Sequence, residues 1–431
     1  MLTAAEMTVQ AMSSIVQMVP IGTNVSLVRV LWCMMNGSFL RSRGGLIPAL
    51  YANGFSVQEV RRCWAAVRSG AWDVNELLDY WQLYVASENQ WHERRHEGYQ
   101  VLSIDITGFW RPHLKGWVSK HYHNLARRAL PAVVVGVMVI SGQVKEQRIP
   151  LLRRIVRLKK GMSKPEFRLH LLKKAAKQMM PDQVAVVDAE FTVAELHEAE
   201  VPQYVVRLAT NCTARRNELP PYKGKGRYPE YGKYVRPLPR KWKEREIAAT
   251  KPDRTTCFDQ DGVRIQATSW DDLVTSDQKV DAEAATFSIH VFHDPRYKQP
   301  LVLATNLDVK PETALHMYQD RWPVEQAPLA AKQMIGLHRQ FVFAPKACFR
   351  LPELSLLAGS ILTYCAAVLP PVPSGFWDRT PKPTPGRLRR LLDRADLPTL
   401  TEIDPLLRKK DVVTTHLPKG VDGHRRQKQA T

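Results

Sequence analysis

Within Tyr318-Gln-Asp-Arg321-Trp-Pro-Val-Glu325-Gln-Ala-Pro-Leu-Ala-Ala-Lys332 the four chemistry-bearing side chains are separated by three, four and seven residues. On a continuous helix those intervals return to one face, stacking Tyr318, Arg321, Glu325 and Lys332 over about four turns. Glutamate can ligate a metal ion, arginine can grip a phosphate bidentately, lysine can act as a point charge, and tyrosine can stack on a nucleotide. Taken alone, an ordinary Arg–Glu–Lys network on a helix face reads the same way. Two further acids stand upstream, Asp105 inside the β-rich run Val101–Thr107 and Asp188 at the end of the apolar run Val184–Val187. Phosphodiester cleavage needs an attacking oxygen activated and a leaving oxyanion stabilised, and two divalent ions about 3.5–4 Å apart do both. Three carboxylates can hold such a pair, with Asp105 bridging and Asp188 and Glu325 each completing one shell. Mg²⁺ is the expected ion, with Mn²⁺ as a substitute, because it takes oxygen ligands and keeps waters for the reacting groups.

The elements that must position these groups follow from periodicity and turn signals. Residues 1–99 read as helical, and Leu50–Trp64 outlines a helix-turn-helix. There Gly54 ends one helix, Ser56 caps the next, and Val57, Val60 and Trp64 are expected to share an apolar face. Arg61 and Arg62, with Arg68, would then be open to phosphates or base edges. Two packed helices without a nucleic-acid role fit those residues equally well.

Strand patterns begin near residue 100. Pro131–Ile140 and Gln143–Leu151 suggest a hairpin through Ser141-Gly142. An amphipathic helix is expected over Pro165–Met180, a buried strand over Val184–Val187, a helix over Val193–Glu200 and a strand over Tyr204–Leu208. Three strands, helix, strand, helix, strand is the plan of a ribonuclease H-like α/β domain. Its mixed five-stranded sheet, flanked by helices, would put Asp105 and Asp188 on neighbouring strands at one rim. The expected boundaries are 100–209 and 284–370, interrupted by a basic β-rich insertion at 210–283 and followed by a Pro-rich basic tail at 371–431.

Composition narrows the partners. Sixty-two Lys and Arg face 42 Asp and Glu, for a formal net charge of +20, which favours a polyanion such as nucleic acid. Residues 211–250 concentrate that excess, with Tyr222, Tyr228, Tyr231, Tyr234 and Trp242 interleaved among lysines and arginines. These rings, Trp242 included, suit stacking on an unpaired or flipped base. Arg207, Lys115, Lys120 and His121 are further candidates for the same groove. Six cysteines without a C-x-x-C pair argue against a zinc ribbon or a disulfide framework and suggest buried thiols. The most apolar run, Leu130–Ile140, is too short to span a bilayer. His92-Glu-Arg-Arg-His96 has the H-E-x-x-H spacing of zinc proteases, but lies in a charged stretch with no apolar helix face and no third ligand. The pair in His121-Tyr-His123 alternates as on a strand and reads as exposed and polar.

The segment Tyr318–Lys332 resembles the signature of the insertion-sequence transposases of the group called insertion sequence four: Tyr, two residues, Arg, three residues, Glu, six residues, Lys. Every interval matches. Asp105 in Ser-Ile-Asp-Ile-Thr is similar to that family's first acid, and Asp188 in Val-Val-Asp-Ala-Glu-Phe to its second. Asn306, at a strand end before the signature, and the long interval from Asp188 to Glu325 also fit the pattern. The resemblance covers about residues 100–370. It implies a DNA transposase of the DDE type, with terminal inverted repeats and target DNA as partners and a homodimer in the DNA complex. Cut-and-paste excision through a hairpin end and a cytoplasmic, nucleoid-associated prokaryotic location are implied as well. Pro323 and Pro328 depart from a clean helix, Pro323 being able to start a new segment and Pro328 threatening to rotate Lys332 off the face. A metal-dependent nuclease without strand transfer and a non-catalytic DNA-binding derivative stay open.

Overall fold

The computed structural model describes residues 3–398 and 407, without 112, 115–118, 160, 244 and 339. Lys115 and the basic chain end His424–Lys428 lie outside the described residues. The protein is a mixed α/β structure built on one large sheet.

Nine strands carry the argument: β1 (Tyr99–Trp110), β2 (Arg128–Ile140), β3 (Leu151–Arg157), β4 (Gln183–Val187), β5 (Tyr204–Arg207), β6 (Arg254–Gln260), β7 (Val263–Thr275), β8 (Phe287–His293) and β9 (Leu301–Thr305). Side by side, the order from one edge is β3, β2, β1, β4, β5, β9, β8, β7. The β1–β4 and β4–β5 pairs are parallel, and the pairs of β2 with β1 and β3 are antiparallel. The five strands β3, β2, β1, β4 and β5 lie side by side inside a sheet of thirteen. Strands of the 210–283 segment extend the same sheet, since β7 pairs with β8, with β6 and with Ala214–Arg216.

The sheet is covered on both faces, which explains its near-continuous Val and Ile runs. On one face α5 (Lys164–Ala176) and α6 (Val193–Glu198) bury Phe167, Leu171 and Leu196 against Ile104, Met138 and Val187. Both helices start with a capping box, Ser163 with Glu166 and Thr192 with Glu195, which pairs otherwise unsatisfied first-turn N–H groups. The other face carries α7 (Pro311–Gln319) over Val101, Val186 and Val205. Beside it lies a helical layer of α1 (Ala4–Val16), α2 (Thr23–Met35), α3 (Val57–Ser69), α4 (Val74–Glu88) and α8 (Pro345–Val368). Helix α8 is the one helix among the described residues long and apolar enough to cross a membrane, and 94% of its apolar window is buried inside the molecule.

Several expectations shift. The partner of β2 begins at Leu151 rather than Gln143. Residues 142–148 form a small separate sheet with Trp91–Glu93, because Gly142 packs so tightly on Trp91 that a Cβ would lie 2.1 Å from the ring. In α3 the Ser56 capping box forms as expected, but the buried positions are Val60, Cys63, Ala66 and Val67. Val57 is exposed, since at the first turn it precedes the contact with α2. Arg61, Arg62 and Arg68 are exposed. Cys257 is exposed on β6, an edge strand, whereas Cys33, Cys63, Cys348 and Cys365 are buried free thiols.

Candidate active site

The register of the central strands brings the first two acids together. In the parallel pair β1–β4, Val101 lies opposite Val184, Leu102 opposite Ala185 and Ser103 opposite Val186. The same offset carries Asp105 level with Asp188, the residue that follows β4. The offset between β4 and β5, with Val187 opposite Val206, sets Arg207 beside Asp188. Side chains alternate along a strand, and Val101, Val186 and Val205 all face α7. Asp105, Asp188 and Arg207 therefore point to that same face.

The signature segment descends onto this face, but not as one helix. Helix α7 ends at Gln319, a 3₁₀ turn covers Trp322–Glu325, one α-turn covers Gln326–Leu329, and a π-turn covers Ala330–Met334. The prolines explain the breaks. Pro323 opens the 3₁₀ turn, where its missing N–H costs nothing. Pro328 crowds the preceding turn, and the chain then widens, with Ile335 N donating to the Ala330 carbonyl at 3.0 Å. The expected single stacked face is thus replaced by a sequence of short turns.

Arg321, Glu325 and Lys332 nevertheless converge on the acids. The Arg321 guanidinium is 8% exposed, lies 5.5 Å from the centre of the Tyr318 ring, and pairs with Glu325 at 3.3 Å. Burial pulls its pKa down, but Tyr318, Asp188, Asp105 and Glu325 together leave it above the ordinary arginine value. Its Nε is buried without a hydrogen-bond partner. Lys332 Nζ donates to Thr107 Oγ1 at 2.6 Å, two residues along β1 from Asp105 and on the same face, and lies 4.7 Å from the Trp110 ring. The Pro328 irregularity does not turn Lys332 away. Burial lowers the Lys332 pKa to about 8, with Asp105 opposing the shift. Burial, then Asp188, push Asp105 up to about 7, against the Ile106 N–H that donates to its Oδ1 at 2.8 Å and the nearby Arg321. Asp188 Oδ1 accepts from Glu190 N at 2.9 Å, which fixes the turn leaving β4. Among the described residues no group of three His, Cys, Asp or Glu side chains stands close enough to hold a metal ion, Glu325 being exposed and turned toward Arg321.

Beside Arg321 opens a cleft of about 890 Å³ whose lining includes Arg148, Arg207, Tyr318, Lys298 and Trp322. Arg207 lies beside Asp188 by strand register, and Tyr318 lies against Arg321. Arg61 and Arg62 belong to the N-terminal helical layer and take no part in this cluster. In the 211–250 segment, Tyr222 and Tyr228 stack 4.1 Å apart, and the Arg215 guanidinium lies 3.7 Å from the centre of Tyr234 and 4.9 Å from that of Tyr231. The backbone of Trp242 belongs to a two-stranded ribbon, and its side chain lies outside the described set.

Sequence reasoning missed the buried carboxylate that anchors the signature. Asp320 is 1% exposed and bonds Arg94 Nε and His96 Nε2, both at 2.8 Å, with Arg148 at 3.4 Å from its other oxygen. Ser141 Oγ donates to its carbonyl at 2.7 Å. Burial raises the Asp320 pKa, but the bonds from His96 and Arg94 outweigh it and hold it low. The charged stretch with protease-like spacing supplies Arg94 and His96, and it forms two short strands, Trp91–Glu93 and Arg95–His96, so His92 and His96 have no helical face to share. No signal in the run itself marks this role, since Asp320 lies more than two hundred residues away in sequence. His121 and His123 are half-buried rather than exposed, flanking the Trp110 ring at 6.0 and 4.5 Å. Burial, with Lys332 and Lys164 nearby, lowers the His121 pKa to about 4. Asn306 is structural, accepting from Tyr204 N and donating to the Pro202 carbonyl.

No protein family matches the chain, and no curated protein matches it.

Proposed function

We propose that the protein is a DNA transposase with a ribonuclease H-like catalytic domain, cutting transposon ends and joining them to target DNA. The observation that carries this reading is the convergence of Asp105, Asp188, Arg321, Glu325 and Lys332 on one sheet face from segments far apart in sequence. The strand order β3-β2-β1-β4-β5, with only β2 antiparallel to both its neighbours, supports the fold assignment.

The donor set suits hard divalent cations. It consists of carboxylate oxygens, and the burial and the Asp188 charge that lift Asp105 are conditions a bound cation offsets. With Glu325 turned from Arg321 toward the two aspartates, Asp105, Asp188 and Glu325 would hold two Mg²⁺ ions, or Mn²⁺ in their place, which supply activation of the attacking oxygen and stabilisation of the leaving one. Arg321 offers a preorganised guanidinium with a free Nε to a phosphate, its plane fixed by Tyr318. Lys332, held by Thr107, presents one positive charge beside Asp105. Arg207 and Lys298 extend the positive lining along the cleft, and Arg61 and Arg62 offer a separate contact with DNA. The tyrosines of the 211–250 segment and Trp242 would meet bases near the transposon end. Each DNA end occupies one site, so two copies of the chain act together on the paired ends.

Asp188→Ala should abolish Mg²⁺-dependent cleavage of duplex DNA while binding persists; surviving cleavage would remove Asp188 from the reaction. A strand-transfer assay with pre-cut 3′-OH ends then separates a transposase, which joins them, from a nuclease, which does not.

A further inference from the structure

We propose that the hairpin Lys120–Pro131 is a phosphate-binding arm that holds the duplex flanking the reacting phosphate. This rests on the reading of the acid cluster as a nucleic-acid-processing site. Strand β1 does not stop at the acids: β4 ends one residue before Asp188, whereas β1 runs on to Trp110 with β2 as its partner. The first residues of β2 then pair with Lys120–His123, so a ribbon projects past the rim. Its base is fixed to the catalytic strand. His121 packs on Gly108 so closely that a Cβ there would lie 2.5 Å away, Trp110 Nε1 donates to the His121 carbonyl at 3.2 Å, and the His123 ring contacts Trp110.

The arm's surface has the character of a polyanion contact. Residues 119–131 contain Lys120, Arg127 and Arg128 and no acidic residue. All three cations are exposed, and among the described residues none makes a side-chain hydrogen bond or ion pair. Tyr122 is 52% exposed and Leu125 at the tip 93%, so among the described residues nothing covers the tip of the arm. Gly108 lies three residues from Asp105, which puts the arm's base about 10 Å from that carboxylate and its tip at most about 25 Å away. At about 3.4 Å per base pair, this span matches about three to seven base pairs beyond the reacting phosphate.

The test is the salt dependence of binding of a fluorescent duplex of about thirty base pairs. Each lost phosphate contact lowers the slope of log K against log salt by about 0.9, so Lys120→Gln/Arg127→Gln/Arg128→Gln should lower it by about 2 to 3. Lys173→Gln/Lys174→Gln/Lys177→Gln, on exposed positions at the end of α5, serves as the control for bulk charge. An unchanged slope in the arm variant, or an equal fall in the control, overturns the proposal. Shortening the duplex by about seven base pairs on one side of a fixed nick should erase the difference between wild type and arm variant. A difference that survives shortening on either side overturns the assigned location. A wild-type protein that binds duplex without salt dependence would instead sink the nucleic-acid reading itself. Matching thermal unfolding of the variants and wild type keeps a loss of fold separate from a loss of contact.

Discussion

Asp105→Asn should stabilise the cation-free protein at neutral pH while removing its activity. Burial and Asp188 raise the Asp105 carboxyl to about 7, against about 3.9 in an unfolded chain. Between those two values the unfolded state has released its proton and the folded state has not. Stability therefore falls as pH rises through that window and levels off above about 7. About three pH units at 1.36 kcal/mol each give a penalty of up to about 4 kcal/mol for the ionised carboxylate. Asparagine keeps the shape and can still accept from Ile106 N, so the substitution removes the charge without the hydrogen bond. Urea unfolding between about pH 5 and about pH 8, in chelator, should show wild type losing stability while Asp105→Asn holds level. Added Mg²⁺ should restore wild type and leave the variant unmoved. Glu325→Gln provides the contrast, because an exposed carboxylate paired at 3.3 Å contributes about 0–1 kcal/mol. The reasoning is refuted if wild type and Asp105→Asn follow parallel stability curves over this pH range.

Asp320→Ala should destabilise the protein by about 1–3 kcal/mol, because it leaves the part-buried Arg94 and His96 without their carboxylate partner; denaturant melts of the variant check this. With the Asp320 pKa held low, its contribution is present above the ordinary carboxylate range and is lost as pH falls through its lower folded value. Acid unfolding of Asp320→Asn should accordingly lack that wild-type component. Lys332, with its pKa lowered to about 8, should lose its proton as pH rises through that value, and Mg²⁺-dependent cleavage should fall with it. Lys332→Arg should move that alkaline limb upward, whereas an unmoved limb assigns it to another group. Arg321→Ala should weaken duplex binding and lower its salt slope by about 1, measured by fluorescence anisotropy.

What was legible in the sequence was whatever short-range pattern encodes. Alternation and apolar runs located β1, β4 and β5 to within a few residues, because a buried strand must be apolar wherever it meets a helix layer. Ser56 announced the start of α3 as its N-cap. The hairpin partner of β2 was misplaced because the packing of Trp91 on Gly142 involves residues about fifty positions apart. The α3 face was misjudged at Val57 because its exposure depends on where α2 lies.

By itself, then, the sequence determined which residues could do the chemistry, that Asp105 lies within a strand and that Asp188 stands at the end of one. The spacing Tyr318, Arg321, Glu325, Lys332 is a local property and needs no fold to be read. Only the tertiary structure decided that the parallel register sets Asp105 level with Asp188, and that the broken turns after α7 still deliver Arg321 and Lys332 to their face. It also decided that a charged run near residue 94 serves to hold Asp320. The physical reason is burial: register, desolvation and the pairing of buried charges are set by neighbours distant in sequence, and local residue patterns carry no record of them.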